Sequence, residues 1–348
     1  MVDSRSRDQH GATMYPLRED WLALHDEGVL EPDLPIIDPH HHLWDRQGTR
    51  YLLEELLDDT GSGHNIRSTV FITCRSMYRA DGLVEFQPIG ETEFVNGIAA
   101  MSASGNYGDI RACAGIISYA DLTRGMDVRK VLEGHITAGG SRFKGIRFST
   151  ALDGDIIITP VPPVKDIMMN PTWRQGFAQL APLGLTFDSL IFHSQLDQLT
   201  DLARAFPETK IILDHVGCPL GIGRYAGRRD EVFAAWRASI GELGRCQNVY
   251  VKLGGLGMTM FGFDFQSRPK PPSSAELAEL WKPYIETCIE AFTPQRAMFE
   301  SNFPVDKIAG TYKTYWNVFK RLAKDYSAGD KASLFHGAAA RAYGLPDV

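Results

Sequence analysis

The sequence predicts an α/β protein, a (β/α)8 TIM barrel over residues 34–348 with a short N-terminal helical extension over residues 1–33. Three observations predict it. Eight short apolar or β-branched runs recur along the chain, nearly every one is followed by a stretch of helical period, and the runs are too continuously apolar for either face to meet water. Parallel strands covered on both faces have that character, and eight of them alternating with helices close into a barrel. An open doubly wound sheet is the alternative, but no glycine fingerprint follows any early strand.

Taken in order, residues 1 to about 13 are polar and are expected to be disordered. Arg18 to Leu30 carries apolar residues at helical spacing with Gly28 near its end, so a helix is expected there. The strand candidates are Leu34–Asp38, Thr69–Thr73, Ala112–Ser118, Phe143–Phe148, Thr186–Phe192, Lys210–Leu213, Val249–Leu253 and Ala297–Glu300. Helical patterns lie between them at Glu91–Ala103, Val128–Ala138, Thr172–Leu180, Gln195–Phe206, Glu231–Leu243 and Ser274–Phe292. Two more follow the last strand, Tyr312–Asp325 and Asp330–Tyr343. The connections after the second, fourth and seventh strands (Cys74–Pro88, Thr150–Pro171 and Gly254–Pro272) are longer than a barrel needs. Strand-to-helix loops of that kind sit on the catalytic face.

Composition narrows the function. A net charge of −7 without any basic block excludes a nucleic-acid binder. No apolar run approaches the roughly 20 residues that cross a bilayer, and the polar start MVDSRSRDQHG is neither signal peptide nor anchor. Five cysteines, an odd number with no CxxC pair, read as reduced thiols. The expectation is a cytoplasmic protein acting on a small molecule, with a homo-oligomer left open.

The chemistry gathers at strand ends. In IIDPHHHLWD, His40 and His42 share one face of an extended strand and His41 the other, so the pair can chelate one metal ion. Reading the C-terminal end of each later strand gives Thr73 and Arg75, Lys144 and Arg147, His193, His215, Lys252, then Glu300 and Asn302. Four of ten histidines fall at such ends, where a barrel brings distant residues into one pocket. His10, His25, His64, His135 and His336 are expected outside it. Lys144 and Arg147 are three apart, so only one faces the pocket. Asp38 is expected to orient a histidine or cap the strand, and Asp214, on the face opposite His215, to be structural.

IDPHHHLWD, FH at Phe192–His193, LDHVG at Leu213–Gly217 and MFESNFPVD at Met298–Asp306 span the chain in order. On these motifs the chain resembles the amidohydrolase superfamily, in particular the amidohydrolase-2 (amidohydrolase-related) barrel hydrolases, which include 2-pyrone-4,6-dicarboxylate lactonases. The resemblance implies that His40, His42, His193 and His215 line the active site and bind a divalent metal, zinc above all. One departure stands out: the eighth strand of these hydrolases carries an aspartate that is metal ligand and base, and Asn302 takes that place here. An amide neither accepts a proton near neutral pH nor ligates zinc well, so the site is expected either to recruit Glu300 or to work without metal. Asp306 is the next carboxylate to consider.

The expected activity is hydrolysis of a lactone or other cyclic ester or amide, with Glu300, Asn302, His193 and His215 catalytic. Arg75, Arg147 and Trp44 are expected at the substrate, the arginines as clamps for a carboxylate. A metal-dependent decarboxylase and a non-catalytic binding relative are the alternatives.

Overall fold

Eight parallel strands form one sheet in sequence order: β1 Pro35–His41, β2 Asn65–Ile72, β3 Arg111–Ser118, β4 Phe143–Ser149, β5 Thr186–Leu190, β6 Ile211–Leu213, β7 Val249–Leu253 and β8 Ala297–Phe299. The computed structural model describes residues 17–46, 49–154, 156, 158, 164–346 and 348, so residues 1–13, His10 among them, and Pro160, Pro162 and Pro163 of the loop after the fourth strand lie outside the described residues. The sheet closes just past β8. The Asn302 N–H donates to the His40 carbonyl at 2.9 Å and the His42 N–H to the Phe303 carbonyl at 2.8 Å. Closure therefore sets the HxH segment directly beside the Asn302 segment.

The helices are α1 Leu53–Thr60, α2 Ile89–Ala103, α3 Val128–Gly139, α4 Pro171–Phe177, α5 Leu196–Ala205, α6 Arg229–Leu243, α7 Ser274–Phe292 and α8 Tyr312–Leu322. Local chemistry starts several of them. At α7, Ser273 Oγ accepts the Glu276 N–H at 3.3 Å while Glu276 returns a carboxylate to the Ser273 N–H at 2.8 Å. Asn170 caps α4, which begins with Pro171, where a missing N–H costs nothing. No helix is long and apolar enough to cross a membrane among the described residues.

The floor of the barrel is closed by the chain's end. Ala338–Tyr343 is helical and packs with Ile37, Val70, Ile72, Ile117, Ile212 and Met298. Lys144, near the start of β4, donates to the Gly344 carbonyl at 3.2 Å, and Lys210, just before β6, to that of Arg341 at 2.8 Å. Both lysines mark the N-terminal ends of strands, so the helix plugs the side opposite the mouth. Four alanines on it allow the close approach.

Two local expectations are corrected. Of the helix expected over Arg18–Leu30, only Glu19–Leu22 forms, because the chain beyond it runs against α8: Asn317 takes the Leu30 N–H at 2.9 Å and donates to the Gly28 carbonyl at 2.8 Å. Trp44–Arg46 and Thr49–Tyr51 pair as an antiparallel hairpin, where the periodicity gave no strand.

Candidate active site

The site begins at the end of β1. His40 Nε2 and His42 Nε2 lie 3.3 Å apart, the rings nearly perpendicular. His42 Nδ1 donates to the Ile72 carbonyl at 2.8 Å, which orients the ring. His41 points elsewhere, with Nε2 at 2.8 Å from Thr69 Oγ1 and its ring against Phe71, and burial lowers its pKa to about 3. The other histidines are engaged away from this point: His64 meets Lys320 and His135 meets Thr92 and the Tyr119 carbonyl.

Glu300, one residue past β8 and fully buried, reaches into the same space. Its Oε1 accepts both the Nδ1–H of His215 at 2.7 Å and the His215 backbone N–H at 3.2 Å. Its Oε2 lies 2.8 Å from His40 Nδ1 but has no donor in line for a hydrogen bond. Burial favours the neutral form of both groups; their mutual attraction outweighs it, raising the His215 pKa and lowering that of Glu300. Room for the pair comes from Gly254 and Gly255 after β7. A Cβ on Gly254 would meet Glu300 Cγ at 2.5 Å, and one on Gly255, whose φ is +73°, would meet the His215 ring at 2.4 Å.

Beneath the histidines lies a buried ionic layer. Lys252 on β7, fully buried, donates to Asp188 at 2.6 Å and Asp214 at 3.0 Å, and lies 3.2 Å from His40 Nδ1. Burial alone would lower the Lys252 pKa, yet the two carboxylates raise it. Tyr343, from the floor helix, completes the layer by donating to Asp188 at 2.6 Å. Asp214 therefore faces the barrel interior, correcting the expectation drawn from strand alternation. β6 ends at Leu213 and His215 has φ +53°, so the two residues do not follow a two-residue repeat. Asp188 and Tyr343 were absent from the sequence reading, although a lone aspartate inside the apolar run TFDSLIF was a usable signal.

Asn302 sits in the left-handed region at φ +56°. Its Nδ2 donates to Asp306 at 2.9 Å and its Oδ1 is buried without a partner. Asp306 also accepts the Gly257 N–H at 3.1 Å, and burial raises its pKa to about 7. Asp38 takes the Ser301 hydroxyl at 2.6 Å, the Tyr312 hydroxyl at 2.9 Å and the His40 N–H at 3.3 Å, so it ties β1 to the segment after β8.

The remaining residues form the walls. Arg147 turns inward, with Nη1 3.4 Å from His40 Nε2 and 3.7 Å from Asp214, while Nη2 donates to the Thr73 carbonyl; Lys144 points to the floor. Buried Glu91 accepts from Thr73 Oγ1 and from the N–H groups of Cys74 at 3.0 Å and Ser76 at 2.8 Å, fixing that turn. Arg75 lies 5.6 Å over the Tyr119 ring and has no carboxylate partner among the described residues. Trp44 is buried and stacks on His42 at 6.0 Å. His193 packs edge-on against Tyr225 at 4.9 Å, and its Nδ1 accepts the Leu220 N–H at 3.3 Å. Among the described residues, one group of three could hold a metal ion: His40, His215 and Glu300, with ligand atoms within 4.8 Å of one another.

Comparison with known proteins bears on the fold and the family. The chain is 31% identical over 333 residues to the uncharacterized protein y4mH of Sinorhizobium fredii, covering 89% of this chain and 99% of the relative. It is 26% identical to an L-fucono-1,5-lactonase of Burkholderia multivorans over 67% of this chain and 72% of that protein. A crystal structure of a Burkholderia multivorans amidohydrolase with bound zinc superposes with a TM-score of 0.67 at 24% identity, covering 89% and 99% of the two chains. The family model described as amidohydrolase matches residues 37–345, from within β1 to two residues past the floor helix, and the chain belongs to the amidohydrolase family.

Proposed function

We propose that the protein hydrolyses a lactone, with six-membered sugar lactones the first substrates to test. The observation that carries this reading is the division of labour in Glu300: one oxygen is spent on His215, and the other is a buried acceptor without a hydrogen-bond donor, beside His40. Hydrolysis needs an ionised oxygen to receive the proton of the attacking water, and the attraction of His215 and His40 keeps Glu300 ionised. The L-fucono-1,5-lactonases among the relatives support the choice of substrate class.

The residues fit a divalent ion. Two imidazoles and a carboxylate are a ligand set suited to catalytic zinc, and an orphaned buried carboxylate oxygen is otherwise costly. His40, His215 and Glu300 would hold it, and it would polarise the carbonyl and acidify water. The chain's own groups do the rest. Glu300 fixes the His215 ring through Nδ1 and takes the water proton on Oε2. The Arg147 guanidinium, anchored on the Thr73 carbonyl, places positive charge beside His40 Nε2, where it stabilises the oxyanion that forms when water adds. Arg75, half-buried at the mouth without a carboxylate partner among the described residues, would meet a carboxylate or hydroxyl of the substrate, and Trp44 would wall the pocket behind His42.

The test is direct. Purified protein, stripped of metal and then loaded with zinc, is assayed by proton release against a panel of aldonolactones, L-fucono-1,5-lactone first. Turnover that depends on Glu300 is expected. No proton release above the spontaneous rate from any lactone, with or without zinc, would end the reading.

A further inference from the structure

We infer that Glu91 is a positioning residue for Arg147: through the peptide unit between Thr73 and Cys74 it fixes where that guanidinium meets the oxyanion, an inference that rests on the lactone-hydrolase reading above. The two polar groups of a trans peptide point in opposite directions, the N–H one way and the C=O the other. At Thr73–Cys74 both are taken. The Cys74 N–H donates to Glu91 Oε1 at 3.0 Å, and the Thr73 carbonyl accepts Nη2 of Arg147. A carboxylate, one peptide and a guanidinium thus stand in line, from α2 through the end of β2 to β4. Each bond in such a chain polarises the next, and the tilt of the peptide decides where the guanidinium sits.

The turn needs such a brace. Arg75 and Met77 both have left-handed backbone, with φ +64° and +54°, a region that glycine alone enters freely. Glu91 holds the turn from behind: besides Cys74 it accepts the N–H of Ser76, between those two residues, at 2.8 Å, and the Thr73 hydroxyl. Both of its oxygens are therefore spent on the turn. The side chain is fully buried on the first turn of α2, where the helix N-terminus favours a negative charge. Gly90 lets the helix come this close, since a Cβ there would meet the Met77 carbonyl oxygen and the Arg79 nitrogen at 2.6 Å. At the far end of the line, Arg147 Nη1 lies 3.4 Å from His40 Nε2 and 3.7 Å from Asp214. The next carbonyl of the turn, that of Cys74, accepts Nη2 of Arg46, whose guanidinium lies 5.0 Å over the Trp44 ring. One braced turn thus orders two arginines of the pocket wall.

The hold on Arg147 can be read without substrate. In full-length protein labelled with 15N-arginine, a guanidinium kept by fixed acceptors gives separate Nη resonances at low temperature, and Arg147→Met assigns them. Separate signals are expected for Arg147 in the wild type and in Glu91→Gln, whose amide oxygen still accepts the Cys74 and Ser76 N–H groups. They should merge into an averaged signal in Glu91→Leu. Glu91→Asp keeps the charge but withdraws it by a methylene, and should merge them too, which serves if Glu91→Leu does not fold. With lactone, Glu91→Leu should lower kcat about 10–100-fold with KM within about twofold of the wild type, and Glu91→Gln should recover most of the loss. In an Arg147→Met background the same exchange should change kcat by less than about twofold, because the group it positions is gone. Separate Arg147 signals in Glu91→Leu or Glu91→Asp with an unchanged circular dichroism spectrum, or kcat losses that multiply in the double variant, would overturn the inference. The spectrum holds or fails independently of the lactonase reading.

Discussion

At the end of β8 the carboxylate stands at Glu300 and an amide at Asn302, and the two make different contacts. Glu300 meets both His40 and His215, so Glu300→Gln should lower kcat by roughly 10²–10⁴-fold while the thermal unfolding transition is retained. A variant with wild-type kcat would place the proton acceptor elsewhere. Restoring the aspartate is not simple. Asn302 Nδ2 lies 2.9 Å from Asp306, so Asn302→Asp opposes two carboxylates at hydrogen-bond distance, and one of them takes up a proton. The single variant should gain little zinc affinity. The double exchange Asn302→Asp with Asp306→Asn keeps the hydrogen bond and frees the charge, and should bind zinc on the order of tenfold more tightly. Calorimetry in buffers of different ionisation heat measures both the affinity and the proton taken up; a double variant no tighter than the wild type would refute this account.

Among the elements, the floor helix is tied to the mouth through Tyr343, Asp188, Lys252 and His40. All four side chains are buried, so the charges of the layer are balanced against one another. Lys252→Met leaves Asp188 and Asp214 facing each other without their cation. It should destabilise the fold by about 3–5 kcal/mol, as breaking a buried pair from one side does. Tyr343→Phe removes one hydrogen bond and should cost about 1–2 kcal/mol. Urea unfolding ranks the two, and a smaller loss for Lys252→Met than for Tyr343→Phe would contradict the charge assignment. The turn after β7 is equally constrained, since any side chain at Gly255 collides with the ring of His215.

For the whole molecule, pH acts through buried carboxylates and buried imidazoles in opposite senses. Burial raises Asp306 to about 7 and Asp38 to about 6, both above their unfolded value of 3.8. The folded state therefore binds more protons between these limits, and the stability these groups contribute at low pH is lost as pH rises through 6 to 7. Burial lowers His64 and His135 to about 4, so the stability they contribute is present above 6.5 and lost as pH falls toward 4. Asp306→Asn removes one term of the first kind. Its stability relative to the wild type should rise between pH 5 and pH 8 by on the order of 2–4 kcal/mol, measured by denaturant melts at each pH. A difference that does not change with pH would show that Asp306 titrates normally.

What the sequence by itself determined is the barrel, its strand order and the residues at the strand ends. Those follow from local rules: apolar runs of strand length, helical period between them, and polar residues where each run stops. It also pointed to Glu300 as the carboxylate to consider beside Asn302, because side chains two apart on an extended segment share a face and an amide cannot accept a proton. Tertiary structure alone decided the rest. That Asp214 turns inward depends on where β6 stops and on the left-handed backbone at His215. The Asp188–Lys252–Tyr343 layer joins positions 64 residues apart or more and exists only once the floor helix is docked. The tautomers of His42, His193 and His215 are set by Ile72, Leu220 and Glu300, of which only Glu300 had been connected with the pocket from the sequence. Spacing along a strand fixes which face a histidine presents; the partner of its second nitrogen, and with it the chemistry of the first, comes from a neighbouring element that only folding brings into contact.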